Sequence, residues 1–165
     1  MGVIIVEGID RVGKSILCEK LRNEGYKVFH DDYKPDYKML CTQMTHREAN
    51  RIIDIKFIMI LQMIPLFDNI VFDRFHFTEY VYDYINGINF ENYNRIDSDL
   101  EMLKAKIILV KPEDLAKSSK EHGSTLAYYN NGMNNLFNKT RIKDKHITSY
   151  SKLDDMVGRI IDERR

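Results

Sequence analysis

Short apolar runs rich in β-branched residues alternate along the chain with longer segments of helical periodicity. The runs are typical of strands that are buried on both faces of a sheet. They occupy residues 3–6, 28–30, 70–72, 106–110 and 146–148. Because helical segments separate them, the pattern predicts right-handed crossovers between parallel strands. We therefore expect an α/β fold of three layers, α/β/α, with a central parallel sheet of about five strands.

One helical segment is apolar on more than one face. It begins at Thr45 or Asn50 and runs to about Met63, with Pro65 marking its end. A helix that is apolar nearly all round is either central to a core or pressed against a second molecule. We predict that residues 48–64 pack into the core on one side and form a homodimer contact on the other.

Two polar features follow in the second half of the chain. Residues 117–125 interrupt a helical pattern, and we interpret them as a lid over a ligand site, the alternative being a simple connection. Ser151 and Asp154 have the spacing of a capping box, which predicts the start of the final helix.

The first strand leads into Gly-Ile-Asp-Arg-Val-Gly-Lys-Ser, residues 8–15, which matches the motif G-x-x-x-x-G-K-[ST]. Gly8 and Gly13 let the backbone approach a phosphate closely. Successive N–H groups and the positive end of the following helix point at the same anion. Lys14 reaches the β- and γ-phosphates, and the Ser15 hydroxyl can ligate Mg²⁺. The motif predicts a P-loop NTPase fold and a nucleoside-triphosphate site formed by Gly8, Val12, Gly13, Lys14, Ser15 and Ile16.

The strand at residues 70–72 ends in Asp73 and Arg74. A carboxylate at this point, beside the phosphate loop, is where P-loop enzymes place an acid that organises Mg²⁺. The alternative is a surface acid that caps the next helix. We predict Ser15 and Asp73 as the metal-binding residues. The guanidinium of Arg74 can pair with a phosphate through two hydrogen bonds, or it can bind a local carboxylate.

Aromatic and acidic side chains near these motifs are candidates for binding a second ligand. Phe77 and Tyr82 lie in an aromatic-rich stretch, and they are either core residues or a platform on which a nucleobase stacks. Asp31 and Asp32 lie in the polar loop after the second strand. In open α/β sheets such loops surround the ligand.

Composition narrows the class of protein. The 165 residues suit a single domain, and the 25 basic and 25 acidic side chains balance. Without a basic stripe, nucleic-acid binding is not expected. Two cysteines, Cys18 and Cys41, are too few for a disulfide framework, so we expect a cytoplasmic protein with reduced thiols. We expect no signal peptide and no membrane association, since the most apolar stretch, residues 57–61, is too short to span a bilayer.

The two motifs together resemble those of thymidylate kinases. Residues 7–15, Glu-Gly-Ile-Asp-Arg-Val-Gly-Lys-Ser, are similar to that family's phosphate loop. Residues 72–78, Phe-Asp-Arg-Phe-His-Phe-Thr, are similar to its D-R-[YF]-x-x-[ST] segment after a later strand. Lys-Pro-Glu-Asp-Leu at residues 111–115 also resembles the passage before the family's lid. Elsewhere only the order of the elements matches.

The resemblance implies a single kinase domain over residues 1–165 that moves the γ-phosphoryl group of ATP, with Mg²⁺, onto the 5′-phosphate of thymidylate. Lys14 and Ser15 would then serve ATP and Mg²⁺. Asp10 would lie beside the acceptor nucleotide, Asp73 would help to organise the magnesium and the acceptor, and Arg74 would hold the acceptor phosphate. The family also places a base-binding arginine on the long helix, which here is Arg47 or Arg51.

Arg11 carries a further implication of the resemblance. In the eukaryote-like branch of the family, an arginine in this loop supplies charge to the transition state, whereas in the other branch lid arginines do so. The predicted lid contains Lys117 and Lys120 but no arginine, which favours a catalytic role for Arg11. Such a cation is worth on the order of 10³–10⁵ in rate.

Two alternatives remain open. Where thymidylate kinases have F-x-x-P with a basic residue, this chain has Phe-His-Asp-Asp-Tyr-Lys-Pro at residues 29–35. The acids resemble those of deoxynucleoside kinases, which remove the proton of a 5′-hydroxyl, so Asp31 or Asp32 could be such a base. From another class, the protein could be a nucleotide-binding regulator without catalysis. Loss of catalytic residues would then be expected, yet Lys14, Ser15 and Asp73 are present.

Overall fold

The structure, a computed structural model, describes residues 2–30, 45–85, 93–114 and 125–164, with the backbone alone for residues 46, 49, 50 and 82–85. Five strands form one sheet in these ranges, in the order β2-β3-β1-β4-β5 with every pairing parallel. The strands are β1 Gly2–Glu7, β2 Lys27–His30, β3 Asn69–Asp73, β4 Lys106–Lys111 and β5 Asp144–Ser149. The predicted parallel sheet is confirmed.

The described helices connect the strands and cover both faces of the sheet. They are α1 Lys14–Asn23, α2 His46–Met63, α3 His76–Ile85, α4 Tyr93–Met102, α5 Thr125–Lys139 and α6 Leu153–Arg164, with 3₁₀ turns at Ile64–Leu66 and Tyr150–Lys152. None of these helices is both long enough and apolar enough to cross a membrane.

The hydrophobic core divides into two clusters, one on each face of the sheet. In β1, Val3 and Ile5 belong to the cluster under α2, α3, α4 and α5, whereas Ile4 and Val6 belong to the cluster under α1 and α6. This alternation follows from the two-residue period of a strand. Because both faces are apolar and covered, the three-layer arrangement predicted from the sequence is confirmed.

Helix α2 begins where one of the two predicted starts lies. Thr45 is its N-cap and forms a capping box with Glu48. Ile53 and Phe57 are buried in the core, so the predicted core-facing side exists. On another side, Ile52, Ile55 and Met59 are exposed to solvent in the single chain. The homodimer contact stays a prediction.

Two features of the later helices differ from the expected local pattern. Helix α5 continues through Gly132, where a Cβ would lie 3.0 Å from Val81 on α3, so the glycine permits close packing of the two helices. The predicted capping box at Ser151 is wrong. Ser151 lies in a 3₁₀ turn, its N–H donates to Glu113 at 2.7 Å, and α6 begins at Leu153. The predicted lid lies outside the described residues except for Thr125, the first residue of α5.

Candidate active site

The carboxyl ends of the parallel strands lie at one edge of the sheet, and the phosphate-loop motif leaves β1 there. Val6 in β1 and His30 in β2 are both register partners of Asp73 in β3. Since β1 lies between β3 and β4, the loop is placed beside Asp73 and Arg74. In open parallel sheets, ligands bind at this edge.

The loop between β1 and α1 has a backbone suited to a phosphate. Gly8 has a φ of 143° and Gly13 a φ of 96°, values that favour glycine. A Cβ at Gly8 would lie 2.3 Å from the carbonyl oxygen of Val110, so a side chain is excluded there. Gly13 is the N-cap of α1, and no side chain in the described ranges caps this helix. Its first N–H groups can therefore bind an anion.

The other loop positions divide between core and surface. Val12 is buried in the core, so its main chain rather than its side chain is at the site. Arg11 is exposed and has a positive φ of 65°, which is strained for a residue with a side chain. Ile16 is exposed on the first turn of α1. The structure thus leaves Arg11 and Ile16 accessible to a ligand.

Lys14 lies inside the site with little solvent around it. Only 4% of it is exposed, and its ammonium group donates to the carbonyl oxygen of Ile9 at 2.5 Å. Burial, aided by the positive charge of Arg74, lowers the pKa of Lys14 to about 8, although Asp10 and Asp73 act in the opposite direction. A buried ammonium group with incomplete compensation favours an incoming anion such as a triphosphate.

The predicted metal ligands contact each other. The hydroxyl of Ser15 donates to Oδ2 of Asp73 at 3.1 Å, and Nδ1 of His30 lies 3.0 Å from the same oxygen. Asp73 is 3% exposed, and its Oδ1 has no hydrogen-bond partner within the described part of the chain. Asp73 is therefore a buried acid of the site rather than a surface cap of α3.

These oxygens fit a hard divalent cation. Mg²⁺ in phosphate-transfer sites is bound by one or two protein oxygens together with phosphates and water. Ser15 supplies a hydroxyl and Asp73 supplies a buried carboxylate oxygen that lacks a partner among the described residues. A bound ion there would neutralise charge on the triphosphate.

Asp10 and Arg74 form an ion pair across the site. The Arg74 guanidinium donates through a terminal nitrogen to Oδ1 of Asp10. Arg74 has a φ of 74°, and its N–H donates to the carbonyl oxygen of Val6 at 2.9 Å, so β1 holds the strained residue in place. Of the two predicted partners for Arg74, the local carboxylate is the one observed. The buried Nε of Arg74 has no hydrogen-bond partner in the described ranges.

Glu7 is a residue of the site whose role the sequence did not indicate. It is 0% exposed, and one carboxylate oxygen accepts from the N–H groups of Phe75 and Phe77 at 3.0 Å each. The other oxygen accepts from the Thr78 hydroxyl at 2.6 Å. Burial raises the pKa of Glu7, while His76 and these hydrogen bonds oppose the rise. Glu7 thereby joins the phosphate-loop strand to the start of α3.

A second buried polar group holds the other side of α3. His76 is fully buried, and its Nε2 lies 3.2 Å from Oδ1 of Asp97 on α4. Asp97 also accepts from the N–H of Arg141 at 2.7 Å and from the Thr140 hydroxyl. This network fixes α3 against α4 and the turn before β5. The helix behind Arg74 is therefore held by polar contacts on two sides.

The candidate base-binding residues lie in different environments, and some of them lie outside the described residues. Phe77 is 0% exposed and packs in the core, so its ring has no surface on which a base could stack. The platform prediction is wrong for Phe77, because the inner face of α3 closes on the sheet. Arg47 and Arg51 are exposed at the start of α2. The Tyr82 side chain, Asp31 and Asp32 lie outside what the structure describes.

An apolar cavity of about 140 Å³ lies between α2 and the β2 edge, next to His30. Phenylalanine rings line it together with Lys56 of α2, whose ammonium group lies 3.2 Å from the buried carboxylate of Glu79. The rings are those of Phe29, Phe67, Phe72 and Phe75. This volume is below the roughly 300–1,000 Å³ of a drug-sized pocket, so the cavity suits part of a ligand. The available sequence signal was one phenylalanine in each of β2 and β3, with two more just before and just after β3.

No model of a known protein family matches the sequence, and no curated protein matches it. Solved structures do share the fold. The YorR protein of Bacillus subtilis, determined in complex with phosphorylated GDP, is 18% identical with a TM-score of 0.70, over 96% of this chain and 93% of that one. Thymidylate kinase from Candida albicans is 16% identical with a TM-score of 0.62, over 98% of this chain and 89% of that one.

Deoxyadenosine kinase from M. mycoides, determined with the products dCMP and dCDP, is 14% identical with a TM-score of 0.57, over 98% of this chain and 97% of that one. Likeness at these identities shows the fold and leaves the activity open. The chain therefore has the P-loop fold that these proteins share, as the phosphate-loop motif predicted.

Proposed function

We propose that this protein transfers the γ-phosphoryl group of ATP, with Mg²⁺, to a deoxynucleoside monophosphate, and that the acceptor is thymidylate. The observation that carries the proposal is the convergence of Lys14, Ser15, Asp73 and the Asp10–Arg74 pair at one edge of the sheet. Phosphoryl transfer depends on positioning two phosphates and on stabilising the charge between them. This edge has groups suited to both tasks.

The donor side of the reaction uses the phosphate loop. The N–H groups after Gly13 and the ammonium group of Lys14 bind the β- and γ-phosphates, and Ser15 with Asp73 suits Mg²⁺. Lys14 leaves the Ile9 carbonyl oxygen when the triphosphate enters, because a charge-assisted hydrogen bond is stronger than a bond to a neutral carbonyl. Arg11, exposed within the loop, supplies positive charge to the transferring group.

The acceptor side uses the Asp10–Arg74 pair. A monophosphate is already a nucleophile, so the protein's task is to hold it in line rather than to remove a proton. Arg74 binds the acceptor phosphate by exchanging part of its contact with Asp10, and its Nε lacks a hydrogen-bond partner in the described ranges. Because Phe77 is a core residue, we place the acceptor base towards the phenylalanine-lined cavity instead, with Lys56 at its wall.

A second candidate is a deoxynucleoside kinase with Asp31 or Asp32 as the base. Strand β2 ends at His30, whose Nδ1 lies 3.0 Å from Oδ2 of Asp73, and Asp31 and Asp32 follow His30 directly in the sequence. The shared fold with deoxyadenosine kinase also supports this alternative. A catalytically inactive nucleotide-binding regulator is the third candidate.

The exposed apolar side of α2 supports a homodimer. Ile52, Ile55, Met59 and Met63 follow helical spacing, and Ile55 and Met59 are each 57% exposed. A stripe of large apolar side chains on one helix is commonly covered by another molecule. We propose that a second copy of the chain covers it.

One experiment separates the three candidate functions. ATP and Mg²⁺ are supplied with thymidylate, deoxyuridylate, other monophosphates or thymidine, and ADP release is followed. We expect thymidylate to give the fastest release. Phosphorylation of thymidine but not of thymidylate would favour the nucleoside kinase. Absence of ADP with every acceptor, from protein that binds ATP, would favour the regulator.

A further inference from the structure

His30 contacts the predicted magnesium-organising acid, although no motif includes it. It is the last residue of β2, and its register partner in β3 is Asp73. Side chains of register partners project to the same face of a sheet, which explains why Nδ1 of His30 lies 3.0 Å from Oδ2 of Asp73. The contact therefore follows from the strand pairing.

The two oxygens of Asp73 have unequal surroundings. Oδ2 is contacted by Nδ1 of His30 and by the hydroxyl of Ser15, at 3.0 and 3.1 Å. Oδ1 is buried and has no hydrogen-bond partner in the part of the chain that the structure describes. A buried carboxylate oxygen without a partner is costly, and a cation at the phosphate site would remove that cost.

We propose that His30 is a positioning residue for Asp73, which it holds through Oδ2 so that Oδ1 is presented to the divalent cation of the bound nucleotide. This inference rests on the proposed function only in assigning a nucleotide-bound cation to Asp73. The last torsion of an aspartate is broad and roughly two-fold, so the carboxylate turns easily unless a neighbour fixes it. Groups that orient a metal-binding carboxylate contribute to metal affinity in this way.

Ser15 restrains Oδ2 through a single hydroxyl hydrogen bond of 3.1 Å, and a second contact at the same oxygen restricts rotation of the carboxylate further. His30 contacts Asp73 from the neighbouring strand, on a residue that we do not assign as a ligand. Its contact with Oδ2 is compatible with both the empty and the occupied site.

The test replaces His30 in two ways. His30→Asn keeps a nitrogen donor at the δ position, and His30→Leu keeps the bulk but removes the donor. Binding of Mn²⁺ to the protein with a non-hydrolysable ATP analogue is measured from the electron paramagnetic resonance of free Mn²⁺. We expect His30→Leu to weaken Mn²⁺ binding by roughly tenfold, the size usual for groups behind a metal ligand. His30→Asn is expected to restore most of the affinity.

A matched control removes a different histidine–aspartate contact. His146 lies 2.7 Å from Asp144 at the other end of the sheet, and since Asp144, His146 and Glu163 could hold a metal ion of their own, His146→Leu is expected to leave unchanged only the Mn²⁺ binding that requires the ATP analogue. Wild-type affinity in His30→Leu, or failure of His30→Asn to restore binding, would overturn the inference. Because binding is measured without transfer, a wild-type protein that binds Mn²⁺ and ATP but phosphorylates no acceptor would contradict the proposed function alone.

Discussion

Two lysines at opposite ends of the sheet differ in their surroundings. Lys14 lies at the carboxyl edge, where burial and Arg74 lower its pKa to about 8. Lys106 lies at the start of β4 and contacts Asp144, at 3.0 Å, and Glu163. Burial alone would lower its pKa, but the hydrogen bonds to Glu163 and Asp144 outweigh burial, and the pKa of Lys106 is raised.

The surroundings of the two lysines distinguish a structural cation from a cation that binds a ligand. At the Lys106 end, the acids and the ammonium group satisfy one another's charges. His146 joins them, with its Nε2 3.3 Å from Nζ of Lys106. At the Lys14 end, polar atoms of Asp73 and Arg74 lack partners among the described residues. Buried charge that is incompletely compensated is costly, and binding of a charged substrate can offset that cost.

The largest effect is expected from Arg11. We predict that Arg11→Gly lowers turnover by on the order of 10³–10⁵ while ATP binding is largely kept, because the arginine acts on the transition state. Glycine suits the test, since the φ of 65° at this position is unstrained for glycine. Single-turnover kinetics and ATP titration measure the two quantities. Arg159→Ala, on α6 near His146, is the control, and near-normal turnover in Arg11→Gly would refute the role.

Replacing each lysine by methionine tests the comparison directly. Lys14→Met should reduce turnover by roughly 10²–10³, the usual loss for one charge-stabilising group. The free energy of unfolding should stay equal or rise, because an ammonium group with a lowered pKa destabilises the native state. Lys106→Met should keep turnover but lower the free energy of unfolding by about 1–2 kcal/mol, because Asp144 and Glu163, both partly exposed, lose their cation.

Kinetic assays and denaturant unfolding of the two methionine variants measure these opposite effects. Equal loss of stability in both would show that Lys14 is a structural cation like Lys106. That outcome would remove the difference between the two ends of the sheet.

The dependence of nucleotide affinity on pH should follow Lys14. Its pKa in the free protein is about 8, so the charged form dominates below pH 8 and is lost as the pH rises above it. We expect the dissociation constant for ATP to rise by up to about tenfold per pH unit above 8, until the pKa of the bound state limits the change. Titration calorimetry at several pH values from about 6.5 to about 9.5, a range that brackets this pKa, measures the dissociation constant. Lys14→Met should have a flat profile.

Glu7 should affect stability more than chemistry. In Glu7→Gln one oxygen that accepts from Phe75, Phe77 or Thr78 becomes an amide nitrogen, leaving buried donors unpaired. We expect a loss of about 1–3 kcal/mol, measured by urea unfolding. Glu24→Gln, at an exposed position, is the control. An unchanged free energy of unfolding in Glu7→Gln would show that the contacts with α3 contribute little to stability.

The smallest effect on turnover is expected at the exposed side of α2. Ile55→Glu should convert a dimer into a monomer, because a charge is costly in an apolar contact, with little change in transfer, since the Ile55 side chain is exposed to solvent in the single chain. Sedimentation over a range of concentrations measures the mass. A wild-type monomer at every concentration would remove the homodimer proposal.

Local patterns were sufficient to predict the strands, the phosphate loop and the group of Lys14, Ser15 and Asp73. Glu7 and His30 could not be predicted, because their roles depend on which strands pair and in what register. A buried acid at the end of an apolar strand was the available signal for Glu7. The choice between a core residue and a base platform for Phe77 could not be made from the sequence, because the composition of this aromatic stretch does not reveal which face of α3 meets the sheet.

The capping box at Ser151 failed for a similar reason. Its spacing was correct, but the side chain of Glu113 from a distant part of the chain accepts from the Ser151 N–H, and a 3₁₀ turn replaces the expected start of the helix. A tertiary contact therefore overrode a local signal.

The central claim is that the carboxyl edge of the sheet transfers a phosphoryl group to a nucleotide. The most direct measurement incubates the protein with Mg²⁺, thymidylate and ATP labelled in its γ-phosphoryl group, and separates the products. We predict that the label appears in thymidine diphosphate and that this transfer is lost in Lys14→Met but kept in Lys106→Met. Label that stays in ATP, or that reaches only inorganic phosphate whether or not an acceptor is present, would contradict the account.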